Sequence, residues 1–334
     1  MDKNILAVCD LEETYACQLM DYLNLKKTVP FEVQAFTVVE KLIEYAKKEK
    51  IDVLLISEEA ITQELKELNI GEIFVLSEEE TTLDKEGHKS IYKYQETENI
   101  LREVMCYYAE AGSVIKSRNN ITTGMEVIGV YSPVKRTLKT SFAMTLGQIL
   151  AKEKRTLYIN LEEYAGFNSL LCTTYMTDMS DLMYYISQNR QNFIWKLASM
   201  VQSIGKLDYI PPALSPLDIK TVRRDQWISF LEEIKKCNYE VIILDLGEAV
   251  EGIFDILRIC TKIYTPTRDD GVSYAKMEQY EALLKIMNYA DVLEKTRKLS
   301  FSYFKGIEYG IENLVHSELG TYVKKLLEVD EGKV

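Results

Sequence analysis

A lysine followed by two hydroxyl side chains stands where an apolar segment gives way to an amphipathic one. Residues 127–130 are mostly apolar, a polar loop follows, and Lys139, Thr140 and Ser141 open a run with apolar residues at helical spacing. The pattern predicts a strand, a loop and a helix that begins near Thr140. A helix N-terminus exposes unpaired N–H groups and carries positive partial charge, so it favours phosphate. We expect Lys139 to contact the β- and γ-phosphates of a nucleotide, and Thr140 or Ser141 to bind its Mg²⁺.

The loop that precedes this helix lacks the glycines of a P-loop. The pattern G-x-x-x-x-G-K-[ST] would place glycine at positions 133 and 138, where this chain has Pro133 and Leu138. Glycine is used there because the backbone must approach phosphates closely, often with a positive φ. Within this 132–141 loop, Thr137 is a further candidate for nucleotide contact. We predict that ATP and Mg²⁺ are candidate cofactors and that hydrolysis is weak or absent.

Two acidic residues follow further strand-like segments. Residues 156–161 read as a buried strand, and Glu162 comes directly after it. Residues 240–246 contain a second apolar run that reaches Asp245. Because ligands bind at the carboxyl ends of parallel strands, both carboxylates are expected near the loop. We predict that Asp245 orients the water shell of Mg²⁺, and that Glu162 is a candidate catalytic residue near the γ-phosphate.

Strand and helix patterns alternate along the whole chain, which predicts an α/β fold with two doubly wound parallel sheets. The polar segment 113–125 is the best candidate for a linker, since it is rich in turn-forming residues. The predicted domains are therefore 1–112 and 126–334. The predicted strands begin near residues 4, 31, 51, 73 and 90 in the first domain, and near 127, 156, 207, 240, 261 and 298 in the second.

The order of elements in residues 1–112 resembles the receiver domains of two-component response regulators. In that family an acidic cluster after the first strand holds Mg²⁺, an Asp ending the third strand accepts phosphate, and Ser/Thr and Lys end the fourth and fifth. The corresponding residues here are Asp10, Ser57, Ser77 and Lys93. Serine cannot form an acyl phosphate, so the resemblance implies an atypical receiver-like docking module without phosphotransfer. In the alternative interpretation, Asp10 only caps the following helix and Lys93 is a surface lysine.

The second domain resembles the MinD/ParA class of P-loop ATPases. That class has a K-G-G-x-G-K-T loop, a D-x-D after the second strand and an apolar strand that ends in the Asp matching Asp245. The positions at which this chain departs from the pattern are Val134, Lys135, Arg136, Leu138 and Asn160. The resemblance implies the fold of this class, with a phosphate site altered in its loop.

A receiver-like domain followed by such an ATPase domain resembles the CpaE/TadZ family of Flp (tad) pilus assembly proteins, over nearly the whole chain. This resemblance implies a polar localisation factor that forms a homodimer around ATP, with weak or no hydrolysis, and works with pilus and secretion assembly proteins. Two alternatives remain open. One is a nucleotide-free scaffold with two inactive sites, and the other is a MinD/ParA-type positioning ATPase on membrane or DNA.

Composition narrows the partners. The chain has 334 residues and a net charge of −12, so nucleic acid is not expected to bind. Its six cysteines form no C-x-x-C pair and it has two histidines, which disfavours disulfides and a zinc site. No apolar run is long enough to span a bilayer, and no signal peptide is recognised. We predict a cytoplasmic protein whose membrane contact is at most indirect and which reaches a cell pole through partners.

Overall fold

The computed structural model describes residues 4–25, 31–79, 88–110, 124–188, 192–301, 304–305 and 310–330. The chain divides into two compact units, Met1–Asn119 with Gln191–Ser199, and Asn120–Arg190 with Met200–Val334. Most of the predicted linker 113–125 lies outside the described residues. The segment Gln191–Ser199, which the sequence-based division counted with the second domain, groups with the first unit.

The first unit contains a parallel sheet with strand order β2-β1-β3-β4-β5, as in flavodoxin-like doubly wound folds. Its strands are β1 (Ile5–Cys9), β2 (Glu32–Phe36), β3 (Ile51–Ser57), β4 (Ile70–Ser77) and β5 (Lys89–Tyr92), and its helices include α1 (Glu13–Leu25), α2 (Val39–Ala46) and α3 (Thr97–Glu110). Every residue of β3 is buried, which fits its aliphatic composition and a position covered on both faces. The carboxyl ends of all five strands lie at one edge of this sheet.

The second unit contains a larger sheet with strand order β12-β11-β6-β10-β7-β9-β8. Its strands are β6 (Glu126–Val130), β7 (Thr156–Leu161), β8 (Gln202–Ile204), β9 (Leu207–Ile210), β10 (Val241–Leu246), β11 (Lys262–Thr267) and β12 (Thr296–Ser300). Its helices are α4 (Lys139–Leu150), α5 (Phe167–Leu170), α6 (Met179–Ser187), α8 (Pro216–Thr221), α9 (Arg224–Ile234), α10 (Ile253–Ile259), α11 (Gly271–Ile286), α12 (Ala290–Glu294) and α13 (Glu318–Asp330).

Helix α7 (Phe193–Met200) contributes its large aromatic side chain to the first unit, although it follows α6 along the chain. Trp195 is 1% exposed and belongs to the cluster that covers one face of the first sheet. Its ring lies 5.0 Å from that of Phe31, centroid to centroid. The core of the first unit therefore includes a side chain that is distant in sequence from the rest.

The predicted α/β fold with doubly wound parallel sheets is confirmed, with one correction in the second sheet. Strand β8 pairs with β9 in antiparallel fashion, so that sheet is mixed at its edge. The two strands are joined by two residues, of which Gly205 has a φ of +61°, and a two-residue turn beginning with glycine favours a hairpin. No helix in the described part of the chain is long and apolar enough to cross a membrane.

Strand β10 is the element that organises the second unit. It lies between β6 and β7, and Asp245 is aligned in register with Val130 on one side and Asn160 on the other. The loop after β6 leads into α4, and Glu162 follows β7 directly. The topology therefore brings the ends of three strands and the start of α4 to one place.

Candidate functional site

Two residues of the 132–141 loop have the backbone conformation that glycine favours, although neither is glycine. Arg136 and Leu138 have φ values of 58° and 55°, in the left-handed region. Both stand where the MinD/ParA pattern has glycine, and a side chain in this region costs about 1–2 kcal/mol per residue. Strain of this kind is found most often at functional sites. Two non-glycine residues thus adopt a conformation that glycine favours.

Few hydrogen bonds within the loop use its backbone donors. The Val134 N–H donates to Ser132 Oγ at 3.0 Å, and the Thr137 hydroxyl donates to the Val134 carbonyl at 3.4 Å. The next backbone donor that is paired is Phe142, whose N–H reaches the Leu138 carbonyl at 2.8 Å. Within the described residues, none of the N–H groups from 135 to 141 donates to a protein acceptor. Consecutive unpaired N–H groups with alternating backbone handedness form an anion-binding concavity.

This loop borders a cavity of about 430 Å³. Four of the predicted nucleotide-binding residues line it, together with the candidate catalytic residue; they are Thr137, Lys139, Thr140, Ser141 and Glu162. Asp245 does not line the cavity and is fully buried beneath it. Thr137 is buried and its hydroxyl is used inside the loop, so it can offer a ligand only its backbone N–H.

Lys139 is held by three acceptors of the protein. Its ammonium contacts the Glu162 carboxylate and the Leu246 carbonyl, and lies 3.2 Å from Asp245 Oδ1. Its side chain is 12% exposed. Burial would lower the pKa of Lys139, but the charges of Asp245 and Glu162 outweigh it and raise that pKa. A lysine has three N–H donors, and here each has a protein acceptor within reach.

Two neighbouring side chains of β7 fix Asp245. Its Oδ2 accepts a hydrogen bond from the Tyr158 hydroxyl at 2.9 Å and lies 3.4 Å from Asn160 Nδ2. The Asn160 amide also donates to the Tyr158 hydroxyl, and its oxygen accepts the Glu162 N–H at 3.0 Å. Burial raises the pKa of Tyr158 well above its ordinary value, so its hydroxyl stays a donor. Asn160, at the first position of the D-x-D pattern, thus orients both acidic residues without adding charge.

The opposite wall of the cavity comes from the segments after β7 and β10. Glu248 lies 3.3 Å from the Lys135 ammonium, and its N–H donates to Glu163 at 3.1 Å. Glycine is required at position 247, where the ends of β7 and β10 meet, because an added Cβ would lie 2.7 Å from the Leu161 carbonyl oxygen. These contacts hold the ends of the two strands close together beside the loop.

These residues fit a phosphate-bearing ligand. The unpaired N–H groups suit phosphate oxygens, and the start of α4 adds positive partial charge. Thr140 makes no hydrogen bond with its hydroxyl in the described part of the chain, so it can still serve as an Mg²⁺ ligand. Asp245 Oδ1 faces only Lys139 and could orient a metal-bound water. Within the described ranges, no group of three or more His, Cys, Asp or Glu residues forms a separate metal site.

The predicted receiver-like residues lie at the carboxyl edge of the first sheet, but among them only Asp10 and Lys93 are joined through their side chains. Lys93 lies 2.9 Å from Asp10 and 3.4 Å from Glu12. Asp10 also accepts the Glu12 N–H at 2.9 Å, in the turn before α1, which begins at Glu13. Lys93 is 6% exposed, so its interpretation as a surface lysine is wrong. Ser57 is buried with a hydroxyl that has no partner in the described residues, and Ser77 accepts the Glu79 N–H.

Sequence comparison and structure comparison give different results. The sequence matches no protein-family model and no curated protein. Among solved structures, a protein of Borrelia burgdorferi assigned to plasmid partition, bound to AMPPNP, has a TM-score of 0.49 at 14% identity, with 63% of this chain and 100% of that chain covered. A ParA family ATPase from Chlorobium tepidum has a TM-score of 0.43 at 17% identity, with 52% of this chain and 73% of that chain covered. A chain of the MinC:MinD cell division protein complex of Aquifex aeolicus has a TM-score of 0.41 at 19% identity, with 57% of this chain and 76% of that chain covered. The structural neighbours of this chain thus include ParA- and MinD-family proteins.

Proposed function

We propose that residues 126–334 form a ParA/MinD-type nucleotide-binding domain and that the 132–141 loop binds the phosphates. The protein acts as a homodimeric pilus assembly or polar localisation factor, and its first domain, 1–112, is the docking module. Nucleotide stabilises the dimer, and hydrolysis is weak or absent. Partners of the docking module are other pilus and secretion assembly proteins.

The run of unpaired N–H groups over residues 135–141 is the observation that carries this proposal. Backbone donors without a protein partner, here in a partly exposed loop and the first turn of a helix, are completed by water or by a ligand, and beside a cavity they favour an anion. The positive φ values of Arg136 and Leu138 support the same interpretation, since they aim successive N–H groups toward one point.

Each site residue has a role in this proposal. Lys139 contacts the β- and γ-phosphates, and Thr140 binds Mg²⁺ while Asp245 orients the metal's water. When bound, the metal would shield phosphate charge. Slow hydrolysis follows from the neighbours of Lys139, because Glu162 is engaged by the ammonium and Asn160 is neutral. Neither is then available as a base for an attacking water.

The pilus and polar roles depend on the order of the two domains and on the family resemblance. A receiver-like unit whose buried Lys93 is already paired with Asp10 is suited to present a constant docking surface. A second function, a scaffold that binds no nucleotide, is favoured by one observation. Three protein acceptors surround the Lys139 ammonium and would compete with a phosphate for it.

Titration calorimetry with ADP and ATP, in the presence of Mg²⁺ and with mass followed by light scattering, tests the proposal. We expect binding, a shift from monomer to dimer, and a loss of about tenfold or more in affinity for Lys139→Ala. Lys152→Ala is the matched control, because Lys152 is exposed just beyond the end of α4. Thr140→Val should weaken the Mg²⁺ dependence. Binding that is unchanged in Lys139→Ala would contradict the assignment, and no binding by the wild type would favour the scaffold.

A further inference from the structure

We propose that Glu162 is a specificity-determining residue that makes this loop favour nucleoside diphosphates over nucleoside triphosphates. Its carboxylate occupies the place beside Lys139 that a γ-phosphate would need. The inference rests on the proposed function, namely that the 132–141 loop binds a nucleotide.

The three protein acceptors around the Lys139 ammonium differ in how easily a ligand could displace them. Two of its three acceptors are on β10, where both Asp245 and Leu246 are fully buried. They cannot leave without disrupting the central strand of the sheet. Glu162, in contrast, follows the last residue of β7 and its side chain is 22% exposed. Of the three acceptors, Glu162 is therefore the one that a phosphate can displace.

The α-, β- and γ-phosphates of a nucleotide require different protein groups as hydrogen-bond donors. In loops of this type the backbone N–H groups hold the α- and β-phosphates, and the lysine reaches between the β- and γ-phosphates. The N–H groups of residues 135–141 are unpaired, so the cradle is open. The α- and β-phosphates of a diphosphate can be held by these N–H groups, with Lys139 shared between the β-phosphate and Glu162. A γ-phosphate must enter the space in which Glu162 contacts the ammonium.

The distribution of charged side chains around the loop also disfavours a γ-phosphate. Lys139 is shared by Glu162 and Asp245, and Lys135 is paired with Glu248. In the described residues, Arg136 is the remaining loop cation and is exposed with no carboxylate partner. A triphosphate brings additional negative charge toward Glu162, and like charges held close together repel strongly where water is scarce. Both the occupied donor and the repulsion act against the γ-phosphate.

Affinities for ADP and ATP, measured by calorimetry with Mg²⁺ present, test this inference. We expect the wild type to bind ADP at least about tenfold more tightly than ATP, and Glu162→Gln to reduce or abolish that ratio by strengthening ATP binding. Glu248→Gln is the matched control: it removes the same charge from the same cavity without touching Lys139. It should change both affinities alike and keep the ratio.

Three results would overturn the inference. They are a wild type that binds ATP as tightly as ADP, a ratio unchanged in Glu162→Gln, and a ratio that Glu248→Gln shifts equally. These differ from failure of the proposed function, in which neither nucleotide binds to the wild type or to Glu162→Gln. The melting temperature of each variant shows whether it is folded, and Gln is nearly the same size as Glu, so loss of folding is not expected.

Discussion

The two units place a buried lysine at the carboxyl edge of a sheet, and in each the lysine faces two carboxylates. In the first unit Lys93 lies beside Asp10 and Glu12, and in the second Lys139 lies beside Glu162 and Asp245. The charged groups alone would not tell these sites apart. The difference lies in the backbone that surrounds them.

Around Lys93 the backbone groups are paired within the unit. The Lys93 N–H donates to Ser77 at 2.7 Å, the Asp10 N–H donates to Phe36 at 3.1 Å, and the Lys93 carbonyl accepts the Tyr15 hydroxyl. Beside Lys139, the run of N–H groups from 135 to 141 has no protein acceptor. A buried ion pair does not by itself indicate a ligand site, whereas a row of unpaired donors at a helix start beside a cavity is suited to an anion.

If each site belongs to its own folded unit, loss of the Trp195 side chain should affect the first unit and not the second. Trp195→Ala removes a buried ring from the core of the first unit and should cost about 3–5 kcal/mol of unfolding free energy there. Trp227→Ala is the control, since Trp227 is buried to the same extent in α9 of the second unit. Hydrogen exchange should show lost protection in β1 and β3 for the first variant, and in β10 for the second. Loss of protection in β10 alone for Trp195→Ala would contradict the grouping of α7 with the first unit.

The Asp10–Lys93 pair should act as a structural contact and not as a ligand site. Lys93→Met leaves the Asp10 carboxylate buried without its cation, which we expect to destabilise the first unit by about 3 kcal/mol. Combining it with Asp10→Asn should recover much of that loss, because the neutral amide no longer needs a cation. Urea unfolding of the single and double variants measures this. A double variant as unstable as Lys93→Met alone would mean that the pair is not the source of the stability.

Much of this arrangement could be predicted from the sequence, because it follows from topology. The apolar strands, the helix that begins at Lys139 and the acidic residues after β7 and within β10 all lie where their patterns place them. Parallel strands then bring Lys139, Glu162 and Asp245 to one edge. The alternation of Tyr158 and Asn160 with apolar residues also places both on one face of β7, a signal that could have identified them.

Other features depend on contacts that no local pattern records. The amphipathic pattern of α7 predicts a helix but cannot say which core it will enter. The short strand β8 has few residues, and only Gly205 indicates its hairpin. The lysine–carboxylate contact of Lys139 with Glu162 depends on the angle at which two strand ends meet. Leucine rarely adopts the left-handed conformation, so the residue type of Leu138 predicts a negative φ there.

The left-handed conformation of Arg136 and Leu138 leads to the smallest expected change in stability. The sign of the stability difference between glycine and alanine at these positions tests that conformation. At ordinary helix or strand positions glycine is less stable than alanine by about 0.5–1 kcal/mol. At Arg136 and Leu138 the order should be reversed, with Arg136→Gly more stable than Arg136→Ala by about 1 kcal/mol, because only glycine adopts a positive φ without strain. Chemical denaturation of the Gly and Ala variants at each position measures the difference, and Arg136 is the cleaner site because its side chain is exposed. Since both variants lose the same side chain, the comparison isolates the backbone. If alanine were the more stable residue at both positions, the free loop would not hold the phosphate-loop conformation, and the contrast between the unpaired donors beside Lys139 and the paired backbone around Lys93 would fail.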